Sequence, residues 1–362
     1  MSIIIFIIVL LVLVLAHEFG HFIVAKKMGI RVDEFAFGFP PKLFGIKKGE
    51  TTYSFNVLPL GGYVKIYGEN PDDVTDDSDK NRSFTAKPRI VQGAVIVAGV
   101  IFNLLLAWIL ISGTLMIGIT SPADEEGGYA LTNSHVMVSG VKPESPADVA
   151  GLTYGDILLS VSDGALEEKT SSTDAVSTFV SGRESQPITF TYQRGGETST
   201  LVVTPVAGIV EGAAAIGIYM DEVGTLKLPI HLALWEGMHK TYQFTVFTAT
   251  GLWDFFSSAL MGNSDFSQVT GPVGIVNAVG EAAGIGFANL LLFTALISIN
   301  LAVINVIPFP ALDGGRLLFI IIEAIIRRPI NVKVANITNM IGFALLMLLM
   351  LAVTWNDVAK LL

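Results

Sequence analysis

Apolar residues run almost unbroken from Ile3 to Val24, and only His17, Glu18 and His21 interrupt the second half of the run. Comparable stretches cover about 90–118, 287–307 (continuing apolar to about 326) and 338–355. Each reaches the roughly 20 residues that a helix needs to cross a hydrocarbon layer about 30 Å thick, so the pattern predicts four transmembrane helices. Over 51–69 the period changes to two. Tyr53, Phe55 and Val57 alternate with polar residues, Gly61-Gly62 supplies a turn, and strand chemistry resumes at Tyr63–Tyr67. The expectation is a β-hairpin over 53–67, followed by a solvated loop over 70–83.

From 121 to 208 the chain becomes a series of short β-rich runs with Gly/Ser turns. Residues 228–262 then place Trp235, Trp253, Phe255 and Phe256 beside His231, His239 and Lys240. Recurring polar positions argue against a fifth span and for a helix lying in the membrane interface. The expected fold is a polytopic α-helical membrane protein with four transmembrane helices, a membrane-associated β-hairpin and an inserted extracytoplasmic domain of mixed α/β structure. Its parts are an N-terminal membrane half (1–120), the inserted domain (121–227), an interfacial amphipathic segment (228–286) and a C-terminal membrane half (287–362).

Composition sharpens this picture. Of 362 residues, 51% are hydrophobic and 15% charged, and the mean hydropathy is +0.62, too apolar for an ordinary soluble chain. The first span lacks the basic start and small-residue cleavage site of a secretory signal. There is no cysteine, which excludes disulfides and thiolate metal sites. The net charge of −10 is unevenly placed: between the second span and residue 240, sixteen Asp/Glu face six Lys/Arg. The segments after spans one and three are basic (Lys26, Lys27, Arg31, Lys42, Lys47, Lys48; Arg327, Arg328, Lys333). The positive-inside rule assigns both to the cytoplasm, leaving both termini and the acidic domain outside. The basic residues hug the membrane ends, so nothing supports a nucleic-acid partner; the partner surface is the lipid bilayer.

The chemistry lies in His17-Glu18-Phe19-Gly20-His21. On a helix His17 and His21 share a face with Cβ atoms about 6 Å apart, the spacing at which two imidazoles bind one Zn²⁺. Glu18 points about 100° away from His17; it is a poor ligand but well placed to act on a metal-bound water. Three polar residues inside an apolar span are costly, and a polar cluster that only holds helices together would rarely need all three. A catalytic zinc wants a third protein ligand. His135, His231 and His239 fall in the outer domain and the interfacial stretch. Asp313, in the apolar segment 304–318, is the third ligand on this reading, because Pro308 and Pro310 must interrupt the helix there and Gly314-Gly315 permits close approach. Asn305 has two readings, a hydrogen bond to an oxyanion or a bond to the backbone that the prolines leave unpaired.

Within the inserted domain, Ser145-Pro146-Ala147, Ala150-Gly151-Leu152, Gly155-Asp156-Ile157 and Val161 resemble the core of a PDZ domain of the bacterial protease-associated kind. Such a domain binds an extended peptide or C-terminus at a sheet edge, or serves as a steric plug. The paired HEFGH and Asn305-x-x-Pro308-x-Pro310-x-Leu312-Asp313-Gly314, with Gly61-Gly62-Tyr63-Val64, Gly271-Pro272-Val273-Gly274-Ile275 and Trp355-Asn356-Asp357, resemble the site-2 protease family of intramembrane zinc metalloproteases, in its RseP-type branch. The resemblance covers nearly the whole chain and implies a multi-pass protein of the bacterial cytoplasmic membrane. It implies one zinc held by His17, His21 and Asp313, Glu18 as general base, and a hairpin edge that clamps unwound substrate, with Gly61, Gly62 and Tyr63 as contacts. It also implies cleavage of a single-span membrane protein already trimmed by another protease, such as an anti-sigma factor or a remnant signal peptide. The chain departs from the branch twice. It has room for one clear PDZ copy where Gram-negative relatives carry two, and the second-span Gly-Pro-x-x-Asn motif reads Gly99-Val100-Ile101-Phe102-Asn103, keeping Asn103 without the proline. A non-catalytic zinc-binding PDZ scaffold is the alternative, and it predicts loss of a ligand or of the base. A metal transporter would want polar residues along several spans, and spans two and four have almost none.

Overall fold

The computed structural model describes residues 2–69, 77–122, 129, 131–210, 212–261 and 270–361. In chain order the elements are α1 (Ser2–Lys27), β1 (Val32–Lys48), β2 (Thr51–Ile66), α2 (Arg89–Ile117), β3 (Ile119–Pro122), β4 (Thr132–Val141), α3 (Pro146–Ala150), β5 (Ile157–Ser162), β6 (Glu167–Lys169) and α4 (Thr173–Ser181). Then follow β7 (Ile188–Arg194), β8 (Glu197–Val203), β9 (Val206–Val210), β10 (Ala213–Ala215), β11 (Ile218–Leu226), α5 (Ile230–Leu260), α6 (Pro272–Ile285), α7 (Phe287–Val306), α8 (Asp313–Ile326) and α9 (Val332–Leu361). They form two compact units, Met1–Thr114 with Ile230–Leu362, and Leu115–Pro229.

In the first unit α1, α2, α7 and α9 are long and apolar enough to cross a membrane. Helix α1 carries apolar residues all round, as a span should, and Lys26 and Lys27 in its last turn complement the helix dipole. The apolar run after α7 breaks at Ile307–Leu312, where Pro308 and Pro310 lack the N–H groups a helix needs. A new helix, α8, then starts at Asp313. Helix α5 runs 31 residues with Trp235, Tyr242, Phe247 and Trp253 exposed. Asp357 of α9 accepts the Gly271 and Gly274 N–H groups at 3.0 and 2.9 Å, capping α6.

The hairpin expected over 53–67 does not form. The tight turn is at Gly49-Glu50, and the two halves of β2 flank the first half of β1: Phe35 pairs with both Tyr53 and Val64, and Phe37 with both Phe55 and Gly62. Four strand segments therefore lie in the order 42–48, 51–56, 32–39, 62–66. Burial explains the arrangement. Val32, Ala36 and Phe37 are in the core, so that segment becomes the central strand and needs partners on both sides. The chain bends at Gly38 (φ 76°), where a Cβ would stand 2.6 Å from the Leu58 carbonyl oxygen. Of the loop expected over 70–83, residues 70–76 lie outside the described residues, and Asp77–Arg82 form a short 3₁₀ helix. That helix is tied down by Arg31–Asp79 (2.8 Å) and Arg82–Glu50 (2.6 Å) ion pairs. Beneath these strands Phe22, Ala25, Ile30, Val32, Val95 and Ile320 form one buried cluster, which packs the end of α1 on α2 and α8.

The second unit is a sheet in the order β3-β11-β4-β5-β7-β8, with β6 on β5. Its core includes Val136, Leu158, Phe179, Ile188 and Phe190. Ser145 caps α3 by accepting the Asp148 N–H, and Gly151 closes that helix in the left-handed conformation (φ 92°). The fully buried Asp156 is held by two bonds from Arg194, at 2.6 and 2.7 Å. Between α4 and the segment 213–218 lies a groove lined by Val176, Val180, Ile216 and Ile218.

Candidate metal centre and active site

His17 and His21 leave α1 on the face turned to α2 and α8. The helices meet closely because glycine stands on both sides: a Cβ on Gly20 would lie 2.8 Å from the Ala98 carbonyl carbon. A Cβ on Gly99 would lie 2.7 Å from Cε1 of both histidines. The absent side chain of Gly99 is thus the cradle for the two imidazoles. Asp313 arrives from the first residue of α8, and the turn behind it is equally tight, since a Cβ on Gly314 would meet the Val306 and Ile307 carbonyl oxygens. Ala311, two residues before Asp313, holds the left-handed conformation (φ 75°), a strained choice for a residue with a side chain. Its N–H donates to Asn339 Oδ1 at 3.4 Å.

Three atoms converge. Asp313 Oδ2 lies 3.1 Å from His17 Nε2 and 3.2 Å from His21 Nε2, and the two Nε2 atoms are 3.2 Å apart. A tetrahedral zinc with ~2.05 Å bonds separates its ligands by ~3.3 Å, so the triangle fits one ion. Asp313 Oδ2 is buried without a hydrogen-bond partner among the described residues, an oxygen that otherwise costs free energy. Outer contacts aim the rings. His21 Nδ1–H donates to the Val95 carbonyl at 2.8 Å, which turns the Nε2 lone pair inward. The amide nitrogen Nδ2 of Asn103, fully buried, lies 3.3 Å from His17 Nδ1. Turned end for end, the amide would place Oδ1 there to accept from Nδ1–H. That turn would satisfy Asn103 Oδ1, which is without a partner among the described residues, and would leave the His17 Nε2 lone pair for a metal.

Glu18 opens into a cavity of about 310 Å³ shared with His17, His21, Tyr63, Asp313 and Arg316. The strand segment 62–66 crosses this cavity. A Cβ on Gly62 would lie 3.6 Å from Glu18 Cγ, and Val64 lines the cavity beside Glu18. Tyr63 donates to Glu34 Oε2 at 3.1 Å. Among the described residues, 62–66 pair with a strand on one side only, that of β1, and no strand covers their other edge. Gly61 adjoins the Phe39 ring. Asn305 sits near the end of α7 and is not part of the cavity lining. Three participants escaped sequence reasoning: the Val95 carbonyl, Arg316 and its ion-pair partner Glu69; Gly99 entered it only as part of the second-span motif, four residues before Asn103.

His17, His21 and Asp313 could hold one metal ion, and with a glutamate one residue from the first imidazole they are the residue types a zinc metallopeptidase uses. The chain belongs to peptidase family M50, whose sequence profile matches residues 5–349; it is a zinc metalloprotease of the site-2 protease type. It is 31% identical over 439 residues to the zinc metalloprotease RasP of Geobacillus kaustophilus, covering 99% of this chain and 98% of that one. To the regulator of sigma-W protease RasP of Bacillus subtilis it is 30% identical over 436 residues, covering 99% of each. A Clostridium perfringens chain is 36% identical over 353 residues, covering 96% of this chain and 95% of that one. Among solved structures, a PDZ domain of the SdrC-like protein from Listeria monocytogenes covers 25% of this chain and 93% of that chain, at 22% identity and a TM-score of 0.22.

Proposed function

We propose that this protein cuts a peptide bond inside the transmembrane segment of single-span membrane proteins, with His17, His21 and Asp313 holding the zinc and Glu18 as the general base. The observation that carries the reading is Glu18 beside the three converging ligand atoms and under an unpaired strand edge. A bound zinc supplies a polarised scissile carbonyl and a water acidic enough to attack near neutral pH. Glu18 takes the proton from the attacking water and delivers it to the leaving amide nitrogen. A transmembrane helix hides its carbonyls in internal bonds, so the substrate must unwind, and the freed groups need partners in a dry setting. The edge at Gly62–Ile66 offers them by strand addition, with Gly61 and Tyr63 flanking the substrate chain. Asn305, near the end of α7, keeps both readings, a hydrogen bond to the oxyanion or a bond to the backbone that the prolines leave unpaired.

The basic segments after α1 and α8 support an orientation with those segments in the cytoplasm and with both termini and the β-rich unit outside. That unit, read as a single PDZ domain, takes a peptide or a new C-terminus in the groove beside α4. Helix α5 lies along the membrane interface. The regulator-of-sigma-W name carried by the Bacillus subtilis relative supports an anti-sigma factor, trimmed first by another protease, as the substrate class. The test is cleavage of a single-span reporter in liposomes. Glu18→Gln should keep its zinc and lose 10²-fold or more in rate, and Asp313→Ala should lose both. Undiminished cleavage by folded Glu18→Gln overturns the reading.

A further inference from the structure

Two cavities in the helical unit share a wall. The 310 Å³ cavity at Glu18 and a second one of about 430 Å³ have two lining residues in common, Glu69 and Arg316, and these form an ion pair with each other. In the wall of the second cavity Gln92, Glu323, Asn336 and Asn339 stand among apolar neighbours such as Phe84 and Ile320. Its other cation is committed elsewhere: Arg89 bonds Glu323 at 2.8 Å and Gln92 Oε1 at 2.9 Å. Glu323 also accepts the Ile330 N–H at 2.8 Å. The pair that separates the two spaces is therefore Arg316–Glu69.

Arg316 stands three residues after Asp313, one helical turn along the same face of α8. That turn cannot drift, because a Cβ on Gly315 would lie 2.8 Å from the Phe309 carbonyl carbon. The guanidinium is thus held beside the place where the peptide bond breaks. Hydrolysis adds water across the C–N bond: the oxygen joins the acyl carbon and the nitrogen takes a proton. At neutral pH the fragments part as a carboxylate and an ammonium. A new anion appears in a poorly hydrated space, where an unpaired charge is costly.

Resting on the proteolytic reading above, we propose that Arg316 receives this new carboxylate, that Glu69 holds the guanidinium in place until then, and that the fragment ending in the carboxylate leaves through the second cavity. The exchange swaps one carboxylate for another on a planar, bidentate donor. Arg316 is paired before and after the exchange, and Glu69 is the group released. Breaking the Arg316–Glu69 pair also opens the wall between the two spaces.

The experiment uses the zinc-loaded protein in detergent with the amino-terminal product of a cleaved reporter, synthesised as the free acid and as the C-terminal amide. Binding is read by fluorescence anisotropy and by inhibition of reporter cleavage. The wild type should bind the acid about tenfold or more tightly than the amide, the size of one charge-assisted hydrogen bond. Arg316→Gln should bring the ratio to about one, and Arg316→Lys should restore part of it. Glu69→Gln, which leaves the guanidinium without its resident partner, should raise the ratio; this arm decides if Arg316→Gln does not fold. Equal binding of acid and amide by the wild type overturns the proposal. So does an acid preference that survives Arg316→Gln, which would assign the carboxylate to the metal. A wild type that cuts no reporter at all would instead bring down the proteolytic reading, a separate result.

Discussion

Gly99→Ala is the sharpest single test of the metal centre. The added methyl would stand 2.7 Å from Cε1 of both His17 and His21, 0.7 Å short of the 3.4 Å at which ordinary contact begins. Neither ring can retreat freely. His21 is pinned to the Val95 carbonyl at 2.8 Å, and His17 is backed by Asn103. Metal–ligand distances tolerate about 0.2 Å, so a displacement of several tenths of an ångström should misplace at least one nitrogen. The expected result is a 10–100-fold loss of zinc affinity, the size of a disrupted ligand-orienting shell. Chelator competition with metal counting in detergent measures it. Gly113→Ala on the same helix, where the new Cβ meets nothing within 4 Å, is the control. It should hold zinc like the wild type and gain up to about 1 kcal/mol of helix stability. If folded Gly99→Ala binds zinc within threefold of the wild type, the imidazoles do not hold the metal in the arrangement described.

Other outcomes follow from the same geometry. Asp357→Ala removes the carboxylate that caps α6 and should cost about 1–2 kcal/mol. That reads as a lower melting temperature with unchanged zinc content, and an unchanged melting temperature would dismiss the cap as idle. In the β-rich unit, the Leu166 N–H, the Arg183 guanidinium and the Ala165 N–H hold the Asp163 carboxyl at a pKa of about 2. The folded value lies below the unfolded one near 3.9. The loop is therefore secured fully above pH ~4 and loosens as pH falls toward 2. Hydrogen exchange at the Ala165 and Leu166 amides, which donate to Asp163 at 2.9 and 2.7 Å, should accelerate over that window relative to intrinsic rates. In Asp163→Asn the acid dependence should vanish, and a wild-type profile in that variant would refute the assignment.

The sequence by itself determined what rests on local periodicity. Four apolar stretches of spanning length became four long apolar helices, because length and hydropathy are all that a span demands. The four-residue spacing of His17 and His21 put two imidazoles on one face before any fold was known, since a helix repeats every 3.6 residues. The prolines at 308 and 310 announced a break because they lack N–H groups wherever they stand. What the tertiary structure alone decided rests on partners far apart in the chain. The Gly61-Gly62 pair read as a hairpin turn, yet the segments on either side of it bond the same central strand at 32–39. Strand pairing is a contest among all exposed edges, and burial of Val32, Ala36 and Phe37 settled it. Gly99 became a cradle only when α1 crossed α2, and Asn103 an orienting group only when His17 lay 3.3 Å away. Arg316 and Glu69, 247 residues apart in number, meet because the broken helix turns α8 back toward the end of β2. No local pattern records such a meeting, because long-range contacts are selected by the packing of the whole chain rather than by any segment's own preference.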